Sequence, residues 1–198
     1  MKKIFVDYKK CLACKGCETA CAIQQHPSHS LFALVGDKKT QVNVRVLGVE
    51  HEAFPVSCRH CEPAMCLDAC PSGAISRDAA TGAVVLNPDV CKACAMCAMV
   101  CPFDAISFKQ THRARYGRTV AYKCDLCHER LQEGLTPACV DACHSKALVF
   151  KESEELKNQR AVQNLKVYLL GEEDEPPLFS LYRELRRKEF ARRRSDKS

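Results

Sequence analysis

Tryptophan is absent from this 198-residue chain, and aromatic residues make up only 7% of it. A core built around large rings is excluded, so the stabilisation that such rings supply must come from elsewhere. Glycine and proline are sparse, at 8 and 9 residues, which excludes collagen-like and low-complexity chains. Long apolar runs are missing as well. Residues 1–7 (MKKIFVD) hold no hydrophobic signal segment and no twin arginine, and later apolar runs are only a few residues long, so no membrane span or export signal is expected. The expected compartment is the cytoplasm, the alternative being export on a partner that carries the signal. There is no G-x-G-x-x-G and no G-x-S-x-G, and residues 36–40 (GDKKT) lack the Gly-Lys-Ser/Thr ending of a phosphate loop. The chain is therefore not expected to be an enzyme by itself.

Cysteine is the opposite extreme, with 16 residues. They fall into four groups of four with none left over. Cys11, Cys14, Cys17 and Cys21, and again Cys91, Cys94, Cys97 and Cys101, follow C-x2-C-x2-C-x3-C, an internal repeat. The second group, Cys58, Cys61, Cys66 and Cys70, widens the middle gap to four residues, and the fourth, Cys124, Cys127, Cys139 and Cys143, widens it to eleven. The outer spacings are the same in all four. In a reducing compartment, cysteines in such numbers read as metal ligands and not as disulfides.

A four-iron cubane needs four thiolates at tetrahedral corners, and a C-x2-C-x2-C loop supplies three of them. The fourth cysteine follows four residues later. On a helix it lies about 6 Å further along the axis and does not easily reach back to the same cubane. In two-cluster ferredoxins this cysteine serves the other cluster. Pro71 and Pro102 complete the C-P pattern of groups two and three, whereas Ala22 and His144 stand there in groups one and four. The competing reading is zinc, as part of an interaction module. The fourth group taken alone resembles a zinc ribbon, but a regular run of three plus one is foreign to zinc sites, which use paired ligands.

Short apolar segments flank the groups. Residues 4–6 lead into the first and residues 147–150 follow the last, so the two are expected to pair; residues 83–86, 105–108 and 119–122 also read as strands. A brief helical turn is expected at each x3 segment. Val42, Val44 and Val46 alternate with Asn43, Arg45 and Leu47 as in a half-buried strand, which makes 22–57 an insertion with its own hairpin. From residue 151 the cysteines stop and charges crowd in. Residues 172–177 read as a linker, and in 178–198 Leu178, Leu181, Tyr182 and Leu185 recur at helical spacing among arginines, the pattern of a helix whose apolar stripe packs on this chain's own ferredoxin body or on a partner subunit, the alternative being a frayed tail.

Lys10, Lys15, Arg59, Lys92 and Lys123 lie beside or inside the cysteine groups. A nearby cation stabilises the reduced, more negative cluster, although each of these side chains could equally be a solvated surface charge. His60 and His128 also adjoin cysteines, but sixteen thiolates leave no ligand position vacant, so they are expected to be supporting or surface groups. The formal charge of +6 does not point to nucleic acid, since four clusters at about −2 each would more than offset it, and no basic patch interleaved with aromatics is present.

The four groups, with their widened second and fourth gaps, resemble the four-cluster iron-sulfur subunits of the dimethyl sulfoxide reductase type over residues 3–150. Residues 17–32 (CETACAIQQHPSHSLF) and 58–61 (CRHC) look most like the iron-sulfur subunit that accompanies nickel carbon monoxide dehydrogenases. The resemblance implies an α+β fold of two pseudo-twofold-related ferredoxin-like halves with an inserted hairpin and a helical tail. Half A would be residues 1–21 with 120–150, half B residues 58–119, and 151–198 a charged extension. It implies four [4Fe-4S] clusters, held by Cys11, Cys14, Cys17 and Cys143; by Cys124, Cys127, Cys139 and Cys21; by Cys58, Cys61, Cys66 and Cys101; and by Cys91, Cys94, Cys97 and Cys70. Family members that bind a three-iron cluster have tryptophan in place of one cysteine, which this chain lacks. The implied role is electron transfer from a catalytic dehydrogenase, carbon monoxide dehydrogenase first, to a flavin nicotinamide oxidoreductase, a hydrogenase or a ferredoxin. Similar subunits also serve formate dehydrogenases and hydrogenases.

Overall fold

The computed structural model describes residues 1–37, 40–110 and 112–170. The expected docking helix at 178–198 and the linker before it lie outside these residues. The described part divides into one unit that ends at Glu152 and a second that begins at Ser153.

The first unit is a mixture of short helices and four two-stranded antiparallel sheets. In chain order its elements are β1 (Lys2–Val6), α1 (Gly16–Gln25), β2 (Val44–Val49), β3 (Glu52–Ser57), α2 (Met65–Asp68), β4 (Ile75–Arg77), β5 (Val84–Leu86), α3 (Met96–Met99), β6 (Ser107–Gln110), β7 (Thr119–Tyr122), α4 (His128–Gln132), α5 (Ala138–Asp141) and β8 (Leu148–Glu152). The strands pair β1 with β8, β2 with β3, β4 with β5 and β6 with β7. The ends of the unit therefore meet, Ile4 lying opposite Phe150, as the apolar flanks of the first and last cysteine groups suggest. The link between β4 and β5 is fixed by Asp78, whose carboxylate accepts the N–H of Thr81 at 2.7 Å and its hydroxyl at 2.6 Å. Gly82 then takes the left-handed φ of 72° that closes the turn.

Two cores form, and among their buried residues neither has a large ring, although partly buried Phe108 packs against the second. One gathers Cys17, Cys21, Val44, Cys139 and Leu148, with Ile4 and Val6 against them. The other gathers Ala64, Ala74, Ile75, Val84, Cys91, Cys97, Ile106, Ala114, Val120 and Ala121. Small residues and cysteines fill the space that rings occupy in other domains.

Three details differ from the expectations. The first helix is not a brief turn but runs ten residues, into the stretch assigned to the insertion. The insertion is joined to the first core: Val44, 2% exposed, belongs to it, and Val46 N donates to Glu18 Oε1 on α1 at 2.6 Å. β7, expected to open the return to half A, pairs with β6, and its Val120 and Ala121 pack in the second core.

The second unit is described through one helix, α6 (Ser153–Leu170), which the density of charge beyond residue 151 does not by itself announce. Glu154 and Glu155 occupy its first turn, where acidic side chains favour the positive end of the helix dipole. Gln159 Nε2 donates to Glu155 Oε1 at 3.3 Å one turn along.

Candidate functional site

The four cysteine loops share one backbone device. The residue just before the second cysteine is left-handed in each: Ala13 (φ 55°), His60 (47°), Ala93 (55°) and Leu126 (62°). None is glycine, so each bend costs about 1–2 kcal/mol. The bend turns backbone N–H groups towards sulfur: Ala93 N donates to Cys91 Sγ at 3.4 Å and Leu126 N to Cys124 Sγ at 3.3 Å. Three further N–H groups reach sulfurs from outside the loops. Asn43 N reaches Cys21 Sγ at 3.2 Å, Ala121 N reaches Cys91 Sγ at 3.4 Å and Leu148 N reaches Cys143 Sγ at 3.4 Å. Such donors favour the thiolate. A helical turn follows in every group, α1, α2, α3 and α5 covering the x3 segments.

None of the sixteen cysteines is in a disulfide, and only Cys14 and Cys94 are exposed. Three cavities are lined by them in sets of four. One, about 410 Å³ counted to its mouth, has Cys58, Cys61, Cys66 and Cys101 in its wall. A second, about 340 Å³, has Cys21, Cys124, Cys127 and Cys139. A third, about 270 Å³, has Cys70, Cys91, Cys94 and Cys97. The remaining four are Cys11, Cys14, Cys17 and Cys143. Burial pushes the Cys17 thiol up to about 11, with the charges of Cys143 and Cys11 adding to the rise. A β-carbon placed on Gly16 would stand 3.6 Å from Ala142 O and 3.8 Å from Cys14 Sγ, so the first loop lies against the fourth group.

The other thiols repeat this pattern. Burial pushes Cys21 up to about 12, with the charge of Cys127 adding to the rise. Burial also raises Cys66, among Cys58, Cys101 and Cys61, and Cys97, among Cys91, Cys70 and Cys66. Cys124 and Cys139, also buried, rise well above the ordinary thiol value. Cys70 runs the other way: burial would raise it, but the Ser72 hydroxyl and the N–H groups of Ile75 and Ala74 outweigh that.

The donor set and the spacing suit a multi-iron group better than a single ion. One tetrahedral zinc, with bonds near 2.3 Å, would draw its thiolates to about 3.8 Å of one another. Among the described residues the three ligand-type atoms that approach within 4.8 Å belong to His26, Asp37 and His112, and no three cysteine sulfurs do. That histidine–aspartate trio is not anticipated by the cysteine pattern. Ser28 N donates to His26 Nδ1 at 3.1 Å, which leaves the neutral ring's proton on Nε2, facing Asp37 Oδ2 at 3.9 Å. His112 Nε2 meets the same oxygen at 3.1 Å. The trio is thus a hydrogen-bonded tie between the insertion and the β6–β7 connection.

The charged neighbours sort by burial. Lys10 and Lys15 are exposed, but Lys123 is 5% exposed, its ammonium donating to Val84 O and, at 2.7 Å, to Cys124 O. Asp125 lies inside the fourth loop. It accepts the Cys127 N–H at 3.0 Å and an Arg113 N–H at 2.5 Å; burial works against its charge, but the guanidinium holds its carboxyl below the usual range. His128 Nε2 contacts Gln132 Nε2 at 3.0 Å at the start of α4. His60 is 2% exposed, and its burial, with the Lys123 charge nearby, pushes it down to about 3. Its proximity to cysteines is visible in the sequence; its complete burial is not.

Residues 49–153 match a family described as a 4Fe-4S dicluster domain. An iron-sulfur protein of Rhodospirillum rubrum is 39% identical over 152 residues, which span 73% of this chain and 79% of that one. Protein NrfC of Escherichia coli is 37% identical over 150 residues; the match spans 73% of the present sequence and only 62% of NrfC. The B subunit of the anaerobic dimethyl sulfoxide reductase of Escherichia coli is 34% identical over 161 residues, 78% of the present sequence and 75% of that subunit.

Proposed function

Because this protein belongs to the 4Fe-4S dicluster domain family, we propose that it is the electron-transfer subunit of an oxidoreductase complex, a relay of four [4Fe-4S] clusters with no substrate site of its own. Bound clusters supply one-electron redox chemistry. The chain's residues hold them in crossed sets: Cys11, Cys14, Cys17 with Cys143; Cys124, Cys127, Cys139 with Cys21; Cys58, Cys61, Cys66 with Cys101; and Cys91, Cys94, Cys97 with Cys70. The observation that carries this reading is that three cavities are each lined by one of these crossed sets and by no other cysteine.

The same placement supports a single file. Charges of cysteines in successive sets act on one another, Cys17 on Cys139, Cys58 on Cys124 and Cys66 on Cys97, and the two exposed cysteines, Cys14 and Cys94, belong to the first and last sets. Electrons pass in at one end and out at the other. Two ferredoxin-like halves related by a pseudo-twofold axis are the architecture we assign to this file, one around each core. Anaerobically reconstituted protein is expected to contain about sixteen iron atoms per chain and no zinc. Elemental analysis near twelve irons with one zinc would return the fourth group to a zinc site.

The partner we propose is a nickel carbon monoxide dehydrogenase, and the compartment the cytoplasm. Residues 17–32 and 58–61 support this choice. Electrons would go on to a flavin nicotinamide oxidoreductase, a hydrogenase or a ferredoxin. Oxidised holoprotein mixed with a trace of that dehydrogenase is expected to lose its brown colour when carbon monoxide is added. Bleaching by formate with formate dehydrogenase, or by hydrogen with a hydrogenase, and not by carbon monoxide, would reassign the partner and leave the relay intact.

A further inference from the structure

Of the four left-handed residues that precede a second cysteine, three are apolar: Ala13, Ala93 and Leu126. His60 alone carries a polar side chain there. Its ring does not turn to solvent but is 2% exposed. Val84 N donates to Nδ1 at 2.8 Å. A neutral imidazole that accepts at one nitrogen carries its proton on the other, so Nε2 is an N–H donor. That donor has no hydrogen-bond partner, a costly state for a buried polar group.

His60 lines the cavity that also holds Cys58, Cys61, Cys66 and Cys101. With Nδ1 taken by the Val84 N–H, His60 offers its Nε2 N–H in a place where the other three loops offer only carbon.

We propose that His60 donates a hydrogen bond from Nε2 to a sulfur of the cluster held by Cys58, Cys61, Cys66 and Cys101, and that this bond raises the potential of that cluster alone. An N–H directed at a cluster sulfur stabilises the reduced state, which carries one more negative charge. The inference rests on the ligand sets proposed above, and it adds a residue that distinguishes one cluster from its neighbours.

The test uses the cluster-loaded full chain, labelled with 15N-histidine and partly reduced. Pulsed electron paramagnetic resonance is expected to show a 15N coupling on one cluster, lost in His60→Leu, the residue that the fourth loop carries at this position. In the same variant one of the four midpoint potentials is expected to fall while three hold and the iron content is unchanged. His60→Gln places an amide N–H near the same point and is expected to recover most of the shift. No 15N coupling in the wild-type protein, a coupling that persists in His60→Leu, or four potentials that stay put or move together would each overturn the proposal. Should His60→Leu lose iron, the wild-type coupling and the His60→Gln potential decide the matter. A failure of the ligand sets is told apart with Cys58→Ser: if it abolishes a cluster other than the coupled one, the assignment of cysteines is wrong and the hydrogen bond stands.

Discussion

Removal of iron by a strong chelator under reducing conditions is expected to unfold the unit that ends at Glu152, with loss of its near-ultraviolet circular dichroism and of any cooperative thermal transition. Its cores explain why. Cys17, Cys21 and Cys139 make up much of one, and alanines and cysteines make up more than half of the other, so little of either is the large apolar side chain with which a domain normally offsets its conformational entropy. The loops add a burden of their own. Ala13, Lys15, His60, Ala93, Ala95, Leu126 and Cys127 all have positive φ without being glycine, at about 1–2 kcal/mol each. Ligand bonds are what hold these bends in place, so metal binding and folding are one process. A protein that kept its transition after losing all iron would overturn this account.

The pH dependence has a defined sign. Burial raises the thiol pKa of Cys17 to about 11 and that of Cys21 to about 12 in the folded chain, above the value of about 8.5 expected when unfolded. Ionisation of these thiols therefore leaves folding of the metal-free chain unopposed below about pH 8.5 and opposes it increasingly as pH rises towards 11–12. Cluster uptake goes the opposite way, since each bound cysteine gives up a proton. Reconstitution yield at fixed iron and sulfide should increase with pH between 7 and 9.

The second large effect concerns Cys143. Its replacement by alanine is expected to destroy the cluster of the first group, not that of its own. Iron should fall by about four atoms per chain, and brief alkylation with iodoacetamide followed by mass spectrometry should label Cys11, Cys14 and Cys17 while Cys124, Cys127 and Cys139 remain protected. The reverse labelling pattern would refute crossed ligation. The expectation rests on two contacts: the Cys143 charge acts on the Cys17 thiol, and the loop at Gly16 lies against Ala142. Leu148 N, donating to Cys143 Sγ at 3.4 Å, orients the sulfur from the first residue of β8.

Much of this arrangement is written locally in the sequence. The cysteine spacings mark the loops, and the x3 segments become helical turns because a ligand four residues on requires one. The pairing of β1 with β8 follows from apolar segments just outside the first and last groups. What the sequence conceals is decided by tertiary packing. Nothing local says that Val44 belongs with Cys17 and Cys139 in one core, because alternation marks a buried face without naming what covers it. Residue 120 looks like the start of a return segment, yet Val120 turns to the core of β6 through backbone pairing that no pattern within Thr119–Tyr122 encodes. His60 and Lys123 carry the composition of surface residues, and only the approach of β5, with Val84 offering both its N–H and its carbonyl oxygen, makes them buried. The helix α6 escaped for a different reason: a face dense in charge reads equally well as linker.

Sulfur exposed at only two places also bears on survival in air. Dioxygen reaches a cluster through its least shielded thiolate, and here those are Cys14 and Cys94, while Cys21, Cys127 and Cys139 are buried. On the single file proposed above, oxidative damage should then advance from both extremities inward. A preparation briefly exposed to air would retain its central iron, and a brown tint, after its links to donor and acceptor had gone, so that colour overstates how much of it still conducts.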